Sequence, residues 1–369
     1  MTKMFRVSTV AMLLLAIVVS FGMWGCSREP ATPVAPEAAS VSVDRSASNP
    51  SIRGVMNVQD RYTPALMADP DVIGTATTID ENGQPAVLML VTSERARGGA
   101  PKMLDGTPVQ VLLTDRIVAM KSTSTGVSHT AKQTAPIKLG TSGGWRYDLA
   151  NGYCCAGTLG SLISVGGQKR ILSNYHVFES DIVSGGNSRV SATGDYIIQP
   201  GLIDISCNAA NGQNVATLVA SRALPNSNVD ASTANIITGM VDATGAILEI
   251  GTISASTVNA SVGQLVKKSG RTTGLTRSSV SGLNATISVA YENECAGGSA
   301  FTKTYTGQIV IANSRSKFLA GGDSGSLLVE DVTTNPRAVG LLFAGSTTTA
   351  IANPIGQVLS YFGATMVGN

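Results

Sequence analysis

Charge is scarce in this chain: Asp, Glu, Lys and Arg make up 14% of its 369 residues, and the formal net charge is only +2. So small an excess of one sign provides no basic field to hold a nucleic-acid backbone, which excludes nucleic acid as a partner. Aromatic residues are few, at 5%, and no long amphipathic helical pattern is present, so helix should be a minority. Histidine occurs only at His129 and His176, which confines any imidazole chemistry to two positions. The five cysteines include no paired C-x-x-C spacing, and neither histidine falls in a ligand-like cluster with them. No metal site and no cofactor are therefore expected.

What the chain has in quantity is glycine, 40 residues of it, together with Ser, Thr, Val and Ile. This composition favours short strands joined by tight turns and so an all-β core. Residues 1–26 read as a targeting segment, with Lys3 and Arg6 as a basic start and an apolar stretch from Val7 to Phe21. Gly25-Cys26 resembles a bacterial lipobox, which would make Cys26 the lipidated N-terminus and the lipid the only membrane contact. Plain secretion and an uncleaved anchor are the alternatives. All three place the rest of the chain outside the cytoplasm. There Cys154, Cys155, Cys207 and Cys295 could form two disulfides, in any of three connectivities.

Residues 27–52 are rich in Pro, Ala and Ser and read as a flexible linker. Residues 53–120 read as a small α+β domain. Val55, Val58, Tyr62 and Leu66 have helical spacing up to a break or turn at Pro64, and Asn82-Gly83 joins "VIGTATTID" to "AVLMLVTS" as a hairpin. Residues 121–145 read as a second linker, with His129 a solvated residue in it. From 146 to 369 the pattern is strand, turn, strand, as in "KRILSNYHVF", "GAILEIGTIS" and "AVGLLFAGS". This suits a pair of small barrels, about 146–240 and 241–369, closed by a helix at 353–362.

A serine hydroxyl becomes a useful nucleophile only when a neighbouring base takes its proton and a third group holds that base in one tautomer. With His129 in a linker, the base is His176, at the end of the apolar strand in "ILSNYHVF". The nucleophile is Ser324 in "FLAGGDSGSLLV", where flanking glycines let the backbone turn sharply. The N–H groups of Gly322 and Ser324 would then form the oxyanion hole.

The stretches "GGDSGS", "CCAGTLGSLI" leading to "LSNYHV", and "VDASTANI" resemble the chymotrypsin-like serine proteases, in the order His, Asp, Ser. "VKKSGRTTGLTRSSVSGLNAT" resembles the bacterial α-lytic type. The whole is similar to bacterial and plant trypsin-like proteins with an extra N-terminal domain. The resemblance covers roughly residues 150–369. It implies a chymotrypsin-like double β-barrel with a C-terminal helix, and a serine endopeptidase acting on protein or peptide substrates. It implies that Asp230, between apolar Val229 and Ala231, orients His176, with Asp204 and then Asp195 as rival carboxylates. It implies that Arg271 of "SGRTTG" pairs with Asp323, so that the serine loop needs no activating cleavage.

By the same resemblance Phe318, Phe343, Ala344 and Gly345 wall the primary pocket. No acid stands at its base, so small or medium apolar side chains are favoured over Arg or Lys. Ser326, Asn174-Tyr175 and Val177 depart from the family pattern. These departures keep open an alternative, a surface binding or scaffold protein that retains the fold with little turnover. A third possibility is that residues 53–120 act as a pro-region that assists folding or blocks the cleft.

Overall fold

Asn49 caps the first helix: its side chain accepts the N–H of Ser51 at 2.8 Å, satisfying one of the donors a helix start leaves orphaned. The computed structural model describes residues 44–119, 129–150, 153–179, 189–221, 224–291 and 300–369. The targeting segment with Cys26, most of the first linker and Cys295 lie outside the described residues. Residues 44–369 form one compact unit.

The helix, α1 (Pro50–Leu66), runs through Pro64 into its last turn. Its buried stripe is Ile52, Val55, Gln59 and Thr63, rotated from the Val55, Val58, Tyr62, Leu66 stripe expected. The reason is what lies beneath. Gln59 donates to Asn284 O at 2.8 Å and accepts from Thr77 Oγ1 at 2.8 Å, and Thr63 Oγ1 bonds Thr75 Oγ1 at 2.7 Å. A polar patch on the sheet thus selects polar partners on the helix, while Ile52 and Val55 each add about 1.5–3 kcal/mol of apolar burial.

The strands that follow are β1 (Val72–Ile79), β2 (Pro85–Val91), β3 (Met103–Leu104), β4 (Thr107–Leu113) and β5 (Val118–Ala119). β1 and β2 form the expected hairpin, with Gly83 at φ +79°. α2 (Glu94–Gly99) carries the chain across so that β4 runs parallel to β2.

Next come β6 (Thr141–Trp145), β7 (Leu149–Ala150), β8 (Tyr153–Cys154), β9 (Gly157–Leu159), β10 (Ser161–Val165) and β11 (Gln168–Ser173). They are followed by α3 (Tyr175–Phe178), β12 (Tyr196–Gln199), β13 (Gln213–Val219) and β14 (Ser232–Ile236). The last group is β15 (Leu265–Gly270), β16 (Gly274–Tyr291), β17 (Phe301–Ala312), β18 (Leu327–Glu330), β19 (Ala338–Gly345), β20 (Thr349–Pro354), α4 (Ile355–Phe362) and β21 (Ala364–Met366).

The chain is mainly β, with the two curled sheets of a double β-barrel. The first sheet has the order β21-β10-β11-β14-β13-β12-β6-β9. In the second, β15 bonds both β18 and β16, so β15-β18-β19-β20-β17-β16 closes on itself. Strand β1 extends this sheet by pairing with β16, so the N-terminal strands continue the second barrel's hydrogen-bonding. Closure fixes which side chains face inward, and where β19 runs on past its pairing with β18 one edge is left, at Ala344 and Gly345.

The region after residue 129 is no linker: β6 belongs to the first sheet. His129 is buried, with Nδ1 2.7 Å from Gly140 O and Nε2 2.6 Å from Glu249 Oε2. Its Ser, Thr and Gly neighbours read as solvated chain, but their backbone groups are taken up by the barrel. Cys154 and Cys207 form a disulfide with sulfurs 1.97 Å apart, and Cys155 is disulfide-bonded as well.

Candidate active site

Register brings His176 and Asp230 together. β11 and β14 are antiparallel with Ser173 opposite Ser232, so the residues just after β11 lie beside those just before β14. Asn174 then donates to Asp230 O at 2.7 Å, and Asn353 Oδ1 accepts the Asp230 N–H at 2.8 Å. With its backbone held on both sides, the buried Asp230 carboxylate lies 2.6 Å from His176 Nδ1 and accepts the His176 N–H at 3.3 Å. A proton on Nδ1 leaves Nε2 with its lone pair, and Nε2 is buried with no hydrogen-bond partner among the described residues. Asn174, a departure from the family pattern, is thus part of what positions the carboxylate.

Ser324 sits in the turn before β18. Gly325 donates its N–H to Leu342 O at 2.9 Å and the Ser324 carbonyl accepts from Thr158 N–H at 2.8 Å, tying the turn to both sheets. Gly325 has φ +92°, and a Cβ there would lie 2.2 Å from Ser173 Oγ and 2.4 Å from Thr158 O. Only glycine permits this approach of the serine turn to the histidine's strand. Ser324 Oγ donates to Phe343 O at 3.2 Å and makes no bond to His176. Neither the Gly322 nor the Ser324 N–H is hydrogen-bonded within the described residues, so both are available to an incoming oxyanion. Ser326 Oγ donates to Asp323 O at 2.5 Å and helps hold the turn.

The expected Arg271–Asp323 pair is not formed. Arg271 makes a two-pronged bond to Asp204, Nε at 2.7 Å and Nη2 at 2.6 Å, and Asp204 also accepts from Ser142 Oγ at 2.5 Å. Asp323 instead faces Lys268, with Nζ 3.4 Å from Oδ2. It also accepts from the N–H groups of Ala320, Thr272 and Thr273 and from Thr273 Oγ1. The exchange has a geometric cause. Lys268 lies within strand β15, fully buried where the side chain meets the serine turn, whereas Arg271 lies past the strand's end and its fork matches the carboxylate on the neighbouring barrel. Burial pushes the Lys268 pKa down and the Asp323 charge opposes that shift. Asp204 is thereby occupied, and the other rival, Asp195, accepts from Trp145 Nε1 at 3.0 Å and Arg189 at 2.8 Å.

Behind Asp230 lie two residues that sequence reasoning passed over. Tyr291 donates its hydroxyl to Asp230 Oδ2 at 2.8 Å, and Tyr305 lies 2.6 Å from the Tyr291 oxygen. Burial, together with the Asp230 charge, raises the Tyr291 pKa well above its ordinary value, so it remains a donor at neutral pH. Glu179 is likewise buried, and its pKa is raised by burial while Ser221 and Ser232 hold the carboxylate. One signal for Lys268 was present: "VKKSG" sets two lysines in succession in a strand, and both are buried, Lys267 donating to Val332 O at 2.7 Å while Lys268 meets Asp323.

Of the residues expected to wall the pocket, Phe318 is buried among Val266, Ile311 and Leu319. The Phe343 ring packs against Tyr305, centroids 4.9 Å apart and planes tilted by 60°, and its backbone carbonyl is what meets Ser324. Ala344 and Gly345 reach the edge of β19 and are covered by β5.

Residues 211–353 match a family described as the Nal1 C-terminal domain. No curated protein matches the chain. Among solved structures, one similar to it is a glutamic-acid-specific serine protease that uses a histidine triad in substrate binding. The two are 19% identical over 62% of this chain and 100% of that one, with a TM-score of 0.41. Thermobifida fusca Protease A is 20% identical over 58% of this chain and 92% of its own, with a TM-score of 0.38. An α-lytic protease homologue, N4, is 20% identical over 57% and 92%, with a TM-score of 0.37.

Proposed function

We propose that the chain is a serine endopeptidase that hydrolyses peptide bonds through an acyl-enzyme. The observation that carries the reading is the buried Asp230–His176 pair, whose Nε2 has no partner among the described residues, set in a barrel tied to the Ser324 turn. Ser324 Oγ attacks the carbonyl carbon as His176 Nε2 takes the hydroxyl proton. The carbonyl oxygen becomes an oxyanion that accepts from the Gly322 and Ser324 N–H groups, each donor contributing about 2.7–4 kcal/mol. His176 then gives the proton to the leaving amine, and water repeats the sequence on the ester.

The Ser324 hydroxyl bond to Phe343 O favours a second reading, a binding protein of protease-like fold with little turnover. Exposing the folded protein to a fluorophosphonate probe and locating the adduct by peptide mass spectrometry separates the two. The peptidase reading requires the adduct on Ser324, whereas folded protein that stays unlabelled is the binder.

Tyr291→Phe keeps the ring and removes the bond to Asp230, a charged acceptor worth about 1.5–3 kcal/mol. With that donor gone the carboxylate is held less firmly against His176 Nδ1, and kcat for peptide hydrolysis should fall roughly tenfold or more while KM stays close to wild type. A Tyr291→Phe protein with wild-type kcat would remove Tyr291 from the positioning of Asp230.

A further inference from the structure

An extended peptide presents its backbone to a strand edge, and each edge N–H and C=O can serve one such peptide at a time. The edge of β19 beside Ser324 already has an occupant. β5 pairs with it antiparallel, Gly345 opposite Val118 and Ala344 opposite Ala119. The residue before Ala344 is Phe343, whose carbonyl accepts from Ser324 Oγ. From Val118 to Ala119, therefore, the chain advances along the edge toward the nucleophile, as a peptide would whose carbonyl is to be attacked.

The segment is fastened at several points. Thr114 Oγ1 lies 2.7 Å from Ser346 Oγ and accepts from Thr348 Oγ1 at 2.8 Å, and Asp115 accepts from Thr347. Ile117 is fully buried in a cluster that includes Tyr175, Leu224, Tyr291, Phe343 and Ala344, and its carbonyl accepts the Ala290 N–H at 3.0 Å. The same cluster includes the residue preceding His176 and the tyrosine that bonds Asp230. Ile117 is thus part of the apolar packing that carries the site.

We infer that Ile117–Ala119 is a built-in occupant of the peptide-binding edge of β19. It excludes other extended peptides, and its sequence marks the class the edge accepts: an extended segment with a large aliphatic residue two places before a small one. The inference rests on the peptidase reading for its functional meaning, but the occupancy can be tested without turnover. Because the occupant is tethered, its local concentration is high, and a peptide in solution binds only the fraction of molecules in which the edge is free.

The test uses the full chain carrying Ser324→Ala and a fluorescent peptide, Thr-Asp-Arg-Ile-Val-Ala, copied from residues 114–119. Anisotropy should show binding tightened roughly tenfold or more when Ala119→Pro disrupts the pairing. Thr114→Ala/Asp115→Ala, which loosens only the outer fastening, should tighten it too and guards against a misfolded proline variant. Unchanged affinity in the folded variants overturns the inference, as does a scrambled peptide that binds equally well. Absence of a fluorophosphonate adduct on Ser324 in wild type would defeat the peptidase reading and leave this binding measurement intact.

Discussion

Ser324→Ala is expected to lower kcat for peptide hydrolysis roughly 10⁶-fold, and Asp230→Asn roughly 10⁴-fold, with the fold retained in both. Removing the Ser324 hydroxyl removes the atom that would form the proposed acyl-enzyme, and little in the site substitutes for it. The Asp230 change acts more subtly. Its Oδ2 faces His176 Nδ1 at 2.6 Å and also accepts from the Tyr291 hydroxyl at 2.8 Å. An asparagine oxygen can serve one of these donors well, but an amide nitrogen turned to Nδ1 would hold the imidazole in the tautomer whose Nε2 carries hydrogen. That nitrogen could then no longer take the serine proton. Active-site titration with single-turnover kinetics, alongside circular dichroism, provides the check. An Asp230→Asn enzyme keeping more than roughly a tenth of wild-type kcat would show that Asp230 does not set the tautomer.

The second large effect concerns stability. Lys268→Met should cost about 3–5 kcal/mol in urea unfolding, because the methionine fills similar space but leaves Asp323 charged and without its cation. Both side chains are fully buried, 3.4 Å apart. The donors from Ala320, Thr272 and Thr273 remain, and they shape the Asp323 site without neutralising it. Adding Asp323→Asn to Lys268→Met should restore much of the loss, since no buried charge is then stranded. Arg271→Met provides the contrast: it strands Asp204 and should leave the Lys268–Asp323 coupling unchanged. If Lys268→Met unfolds at the wild-type urea midpoint, Lys268 is not the counter-ion of the serine turn.

The pairing of His176 with Asp230 was legible because one histidine lay at the end of an apolar strand and the resemblance to the chymotrypsin-like proteases implied Asp230, set between apolar neighbours, over Asp204 and Asp195. The ion-pair partners were not legible in the same way. Lys268 and Arg271 are three residues apart, so linear distance to Asp323 cannot separate them. What separates them is that one lies within a strand and the other past its end. His129 was read as solvated because its neighbours are small and polar, yet their hydrogen bonds are made inside the fold. The buried face of α1 was displaced for a related reason, since Gln59 and Thr63 answer to Thr75, Thr77 and a carbonyl of β16 that no local pattern reveals.

By itself the sequence determined the β character of the chain, the hairpin at Asn82-Gly83, the closing helix, and the residues whose chemistry suits acyl transfer. These follow from local rules: alternation along strands, the φ freedom of glycine, the scarcity of histidine. Tertiary structure alone decided that Lys268 and not Arg271 faces Asp323, that Tyr291 reaches Asp230, and that β5 lies on the edge of β19. Each of these joins residues far apart in the chain, and their distances are set by the register and closure of barrels whose side-chain directions depend on every strand at once.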